Sequence, residues 1–290
     1  MFYKLLALIS LCTFSLYSVA SECLAQQQPK VSVQLHSVKH MVVEDFEGTL
    51  TKLAKMGFAG VEFAGRYGPY ANDPVALKRF LDSLGLEVSG AHMSVKQLRG
   101  DKGIDRLRFL QQIGTKLLII PHDGRIDKPD QINELIIELK ELTKTVAQFG
   151  MQLGYHNHSK EFKTFQQSTF WDHLALNTPD NFVLQLDVGW ANYAEQDSIA
   201  YVKRYPNRTL TTHYKIRTKP QDKEKSLPVI IGQDTFNWSE LIKTNQQFGG
   251  TQWIVVEQEE HPKGFTPLQS VAASKKGLDK IMKELNKACW

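Results

Sequence analysis

Two histidines one residue apart, His156 and His158, stand in the run Leu153 to Phe162, which reads Leu-Gly-Tyr-His-Asn-His-Ser-Lys-Glu-Phe. The run follows a helical pattern that stops at Phe149-Gly150, and its short apolar start reads as a buried strand. Side chains two apart on a strand share a face, so both imidazoles point one way and Asn157 the other. Such a pair can ligate a divalent cation, or ligate one and leave the second ring for substrate. A hydrogen-bonded polar pair in an ordinary loop is the competing explanation. It loses ground because other runs along the chain end in the same kind of residue.

The elements that must position these groups alternate regularly. Apolar runs cover Val31 to His36, Gly60 to Phe63, Glu87 to His92, Leu117 to His122, the run at Leu153, Phe182 to Asp187, Leu210 to Lys215 and Trp253 to Glu257. Helical stripes lie between them: Phe46, Leu50 and Leu53 before Gly57, then Leu77, Phe80, Leu81 and Leu84 behind Asp73-Pro74. Further stripes run through Ile104 to Ile113 and Ile132 to Leu142, and a closing helix spans about Leu268 to Leu285. Eight strands alternating with helices, about thirty residues apart, predict one α/β domain, a (β/α)8 TIM barrel. A doubly wound open sheet would show a Gly-rich phosphate turn after its first strand, and His36-Ser37-Val38-Lys39 is nothing like one.

In a barrel the C-terminal strand ends converge on one face. Here they carry His36, Glu62, His92, His122, His156 with His158, Asp187, His213 and Glu257, so six of the nine histidines fall there. Crowded polar groups cost stability unless each is paired, so such a ring marks a shared site. His156, Asp187, His213 and Glu257 come one each from strands five to eight and form a contiguous arc. Two imidazoles and two carboxylates suit one divalent ion, Mn²⁺ or Zn²⁺ first, then Co²⁺, Fe²⁺ or Mg²⁺. A bidentate substrate could join four protein ligands only on an ion that expands its coordination, which favours Mn²⁺.

Gly57-Phe58-Ala59-Gly60-Val61-Glu62-Phe63, Gly90-Ala91-His92, Gly154-Tyr155-His156-Asn157-His158, Leu186-Asp187-Val188-Gly189-Trp190 and Val255-Val256-Glu257-Gln258 resemble the xylose isomerase-like TIM barrels. Within them the chain is most similar to the sugar phosphate isomerase/epimerase branch, in an exported sub-branch with the Gly-Tyr-His-Asn-His motif. The resemblance runs strand by strand over the mature chain. It implies a metal held by Glu, Asp, His and Glu on strands five to eight. Asp187, His213 and Glu257 match, and His156 stands at the strand-five position. The epimerases exchange a proton between two metal-bound glutamates; this chain has one, which points to single-base chemistry.

The expected reaction is therefore proton abstraction beside the carbonyl of a sugar, through an enediolate. Glu257 is the candidate base, with His158 and Glu62 as alternatives, and His92, His122 and His158 are candidates to shuttle protons to substrate oxygens. His36, Gln34 and Lys215 are candidate substrate contacts, Lys215 for an oxyanion. Trp190 and Phe63 are candidates for an apolar wall against a pyranose face, or plain core. Glu161 is expected to steady the loop or to lie on the surface. Gly232-Gln233-Asp234-Thr235-Phe236 is expected to shape the pocket rim. Isomerisation, epimerisation, elimination and hydration all remain open, as does a noncatalytic sugar-binding barrel.

Lys4, an apolar run from Leu5 to Ala20 and a small-residue stretch ending Leu24-Ala25 read as a secretory signal. The expected division is a signal over residues 1–25 and a barrel over 26–290, exported to a bacterial periplasm. Cleavage after Ala25 would leave Cys289 as the single cysteine and no intrachain disulfide. Export argues for a free, glycosidic or keto sugar rather than a sugar phosphate. The net charge of +4 is spread thinly, without the basic stripe that nucleic acid requires, which sets aside an abasic-site endonuclease on this barrel. No other run is apolar enough to span a bilayer, and monomer and homodimer are equally compatible with the surface pattern.

Overall fold

The structure, a computed structural model, describes residues 28–219 and 229–288. The expected signal and Cys289 lie outside the described residues. Among the described residues there are ten strands: β1 Lys30–Gln34, β2 Gly60–Phe63, β3 Glu87–His92, β4 Leu117–Ile120, β5 Gln152–His156, β6 Thr164–Phe165, β7 Ser168–Thr169, β8 Val183–Asp187, β9 Thr211–Tyr214 and β10 Trp253–Val256. Eight of them pair in parallel into a closed barrel ordered β1-β2-β3-β4-β5-β8-β9-β10, and β6 and β7 form a small antiparallel hairpin outside it. The helices are α1 Lys39–Glu44, α2 Phe46–Lys55, α3 Pro74–Ser83, α4 Gly100–Gln112, α5 Ile132–Ala147, α6 Phe170–Asn177, α7 Val188–Tyr193, α8 Ser198–Arg204, α9 Trp238–Thr244 and α10 Pro267–Ala288. This is a (β/α)8 TIM barrel, as the alternation predicts.

Local chemistry sets the helix limits. Asp45 caps α2 by accepting from the Gly48 amide at 2.9 Å, and Asp73 caps α3 at Ala76 N, with Pro74 in the first turn. After α2 the chain turns at Gly57, whose φ of +82° is a left-handed stop. The inward faces of α2, α3 and α5 bury Leu50 and Leu53, Leu77 and Leu81, and Leu135 and Leu139 against the outer side of the strands.

The inside of the barrel is layered. Its lower part is an apolar plug of Leu117, Ile119, Val183, Trp253 and Val255. Above it, toward the C-terminal strand ends, a buried polar layer contains Gln34, Glu62, His156, Gln185, Asp187 and His213. Parity decides membership, because alternate residues face alternate sides. Ile119 faces inward, so Ile120 joins the outer core, and β4 ends there instead of running on to His122. β1 likewise ends at Gln34, and His36 sits in a 3-10 turn over Leu35–Val38.

Candidate active site at the C-terminal mouth

His156, Asp187, His213 and Glu257 converge as the arc requires. Each is buried, and one ligand atom from each lies within 4.8 Å of the others. His156 Nε2 is 3.7 Å from Asp187 Oδ2, while His213 Nδ1 is 3.9 Å from that oxygen and 3.0 Å from Glu257 Oε2. Asp187 Oδ1 caps α7 by accepting from Trp190 N at 2.8 Å, but its fully buried Oδ2 makes no hydrogen bond among the described residues. Burial pushes the Asp187 carboxyl up to about 6, against the pull of the Lys215 ammonium.

Below this quartet, a second set of contacts fixes the His156 and His213 rings. His213 Nε2 donates to Glu62 Oε1 at 2.6 Å, which turns Nδ1 toward the two carboxylates. His156 Nδ1 lies 3.1 Å from Gln185 Oε1, so its proton sits there and Nε2 faces Asp187. Metal-binding histidines are oriented in this way by acceptors behind them. Without a cation, burial opposes protonation of His213, but Glu62 and Glu257 hold its pKa up to about 10. A divalent ion fits the same place: it would satisfy the orphaned Oδ2 and replace the His213 proton between Nδ1 and Glu257.

The structure reassigns several expected site residues. Glu62, an alternative base on sequence grounds, accepts from Gln34, His213 and His92 at Oε1 and from Gln185 at Oε2, at 2.6–3.0 Å. Burial opposes its ionisation, yet the His92 and His213 imidazoles hold it well below the usual carboxylate range. It is a fully buried brace beneath the quartet, with three donors crowding Oε1 and one on Oε2, and it is closed off from substrate by burial. Gln34 is spent on the same brace, since its Oε1 accepts from His36 N at 3.1 Å. His92 presents Nε2 to Glu62 at 3.0 Å and Gln185 at 2.8 Å and stacks on His213, so that nitrogen too belongs to the brace. Phe63, of opposite parity to Glu62, is fully buried against Tyr67 in the outer core and offers no wall to a sugar.

The rim holds the rest. His122 is exposed, off the strand register, with its ring edge-on to His158 at 6.0 Å. His36 is partly open and accepts from Lys39 Nζ at 3.2 Å; burial lowers its pKa. Trp190 leans on His158 at 5.3 Å, and the Arg217 guanidinium lies over its ring at 4.3 Å, so one aromatic face is already covered. Glu161 is buried, accepts from His158 N at 2.8 Å and thereby fixes the loop. Burial pushes its carboxyl up to about 7. Asp234 organises the turn after Gly232 by accepting from Phe236 N at 2.7 Å and Trp238 Nε1 at 2.8 Å.

His158 stands apart from the brace. Its Nδ1 is buried and makes no hydrogen bond among the described residues, and its ring lies 5.1 Å from that of His156. Burial, reinforced by Lys215, lowers its pKa to about 4, so at neutral pH it is an uncharged imidazole with a free lone pair. Lys215 is buried beside it, its ammonium 3.0 Å from Glu257 Oε2 and 2.5 Å from Glu259 Oε2. Burial opposes that charge, but Asp187, Glu257 and Glu259 hold it firmly protonated. Its stem packs where Gly189 has no side chain: a Cβ there would meet Lys215 Cγ at 2.9 Å. Sequence reasoning missed Gln185 and Glu259, although both were within reach of strand parity, two residues before Asp187 and two after Glu257.

The xylose isomerase-like TIM barrel family matches residues 50–285. The inosose dehydratase of Lacticaseibacillus casei is 25% identical over 272 residues, covering 82% of this chain and 90% of that relative. A solved sugar phosphate isomerase/epimerase from Parabacteroides distasonis superposes with a TM-score of 0.70 at 25% identity, over 87% of this chain and 93% of that one. An L-ribulose 3-epimerase shares the fold alone, with a TM-score of 0.66 at 12% identity over 90% and 96% of the two chains. Barrel, buried mouth and family match agree, and the protein belongs to the xylose isomerase-like TIM barrel family.

Proposed function

We propose that this protein is a divalent-cation-dependent enzyme that removes a proton from the carbon beside a carbonyl of a free or glycosidic keto sugar. The observation that carries this reading is an uncharged imidazole, His158, whose ring makes no hydrogen bond among the described residues, next to a four-donor cluster whose Asp187 Oδ2 also makes none. His156, Asp187, His213 and Glu257 would hold the cation, with Mn²⁺ and Zn²⁺ the best matches to two nitrogens and two oxygens. When bound, it supplies positive charge that stabilises the developing oxyanion.

The chain's own residues do the remaining work. His158 accepts the carbon-bound proton, because its lone pair is free at neutral pH. Glu257 is less suited to that role: burial opposes its ionisation, but Lys215 and His213 hold it well below the usual carboxylate range. Glu62 and Gln185 keep both ligand rings in the binding tautomer. Lys215 is a cationic donor for an oxygen that gains charge or departs.

Elimination of a β-substituent is the outcome best supported for the enolate. His156 stands where a two-glutamate epimerase needs its second base, and a relative covered over most of its length is named for a dehydration. Isomerisation or epimerisation is the second reading, favoured by the name of the structural neighbour. The N-terminal pattern from Lys4 to Ala25 supports export, and with it a substrate without phosphate. The test is incubation of the Mn²⁺- or Zn²⁺-loaded protein with keto sugars and cyclic ketopolyols in D₂O, followed by NMR and enone absorbance. Exchange or loss of the proton beside the carbonyl is expected. A metal-loaded protein that binds such sugars without exchange or elimination would reduce it to a binding protein.

A further inference from the structure

The Lys215 ammonium sits at the hub of three carboxylates, 2.5 Å from Glu259 Oε2, 3.0 Å from Glu257 Oε2 and 3.4 Å from Asp187 Oδ2. The last two oxygens are those that face the His156 and His213 imidazoles in the four-donor cluster. The three acids differ in setting. Asp187 is sealed from solvent and Glu257 nearly so, whereas the Glu259 side chain is 26% exposed and also faces Arg217 at 3.4 Å and His36 at 3.8 Å. Lysine is a point charge on a flexible four-carbon stem, so its head can shift while its backbone stays in place. The Trp190 ring centre lies 5.4 Å from Nζ, an aromatic surface on which an ammonium is tolerated.

We propose that Lys215 is a built-in counter-ion of the metal site: it holds Asp187 and Glu257 together in the empty cluster and retreats onto Glu259 when a divalent cation binds. Lys215 and Glu259 then set the metal affinity without ligating the metal. The inference rests on the metal reading above. Its logic is competition. A buried ammonium and a dication cannot share two oxygens at full strength, because like charges repel strongly where water is excluded. An ordinary structural salt bridge would behave in the opposite way, since breaking it would loosen the ligands and weaken binding.

Mn²⁺ titration by calorimetry separates the two. Lys215→Met keeps the length of the stem and removes the charge; it is expected to bind Mn²⁺ about tenfold tighter than wild type. Its melting temperature in EDTA is expected to fall, so the rise produced by Mn²⁺ grows. Glu259→Gln is expected to bind Mn²⁺ several-fold more weakly in the wild-type background and to have little effect beside Lys215→Met, because the acid acts through the lysine. Equal or weaker binding by a folded Lys215→Met overturns the proposal. If that variant does not fold, Glu259→Gln decides alone, and unchanged or tighter binding overturns it. Should wild type and both variants bind neither Mn²⁺ nor Zn²⁺, the metal reading itself falls, an outcome distinct from unequal affinities of the wrong sign.

Discussion

Glu62 Oε1 and His213 Nε2 meet at 2.6 Å across the inside of the barrel, from strands separated by β1 and β10. Neither side chain reaches solvent. The contact fixes which nitrogen of His213 faces Asp187 and Glu257, and it engages a carboxylate that would otherwise be read as a base. The neutral isostere tests both points. Glu62→Gln is expected to weaken Mn²⁺ or Zn²⁺ binding about 10- to 100-fold, the usual cost of losing an acceptor behind a ligand histidine. A metal titration checks it; unchanged affinity with lost proton exchange would restore Glu62 as the base.

His158→Gln separates base from ligand. Proton exchange beside the carbonyl is expected to drop about 10²- to 10⁴-fold, the range for a positioned general base, while metal affinity stays near wild type. The base is active above its pKa, so the acid limb that His158 contributes to kcat/KM should lie well below its ordinary 6.5. A pH–rate profile of the metal-loaded enzyme reads this directly.

Glu161 links the loop to stability. Its pKa is raised from 4.5 unfolded to about 7 folded, so the folded state binds more protons between those values. Its favourable contribution is complete below pH 4.5 and is lost as pH rises through about 7. Glu161→Gln keeps an acceptor for His158 N and removes the buried charge. We expect the variant to be more stable than wild type at pH 8 by about 1–3 kcal/mol, with the advantage gone at pH 5, in urea titrations at the two pH values.

Gly189→Ala probes the packing of Lys215. The new methyl would sit 2.9 Å from Lys215 Cγ and 3.0 Å from Lys215 O, and the second contact is with backbone that cannot swing away. A loss of about 1–3 kcal/mol in urea denaturation is expected, as for overpacking in a filled core. Stability equal to wild type would mean that α7 shifts freely against β9.

The barrel was legible because its signals are local. Short apolar runs such as Leu117–Ile120, caps such as Asp73-Pro74 and stops such as Gly57 each act within a few residues. The convergence of His156, Asp187, His213 and Glu257 followed from them, since a closed parallel sheet brings all its C-terminal ends to one mouth. Strand ends were less legible. β1 and β4 stop two residues short of His36 and His122, leaving the first in a tight turn and the second on the exposed rim.

What tertiary structure alone decided is which polar atoms remain free. Glu62 and His158 are both reasonable bases as residue types, yet one is buried under partners from four other strands and the ring of the other makes no hydrogen bond among the described residues. Those partners lie 28 to 151 residues away in the chain, so no local pattern encodes the pairing. Residue type and strand parity fix the inventory and the facing side of each group. Burial and long-range partners then fix its charge, its tautomer and whether a lone pair is left for chemistry, because desolvation penalises every polar atom that the fold does not pair.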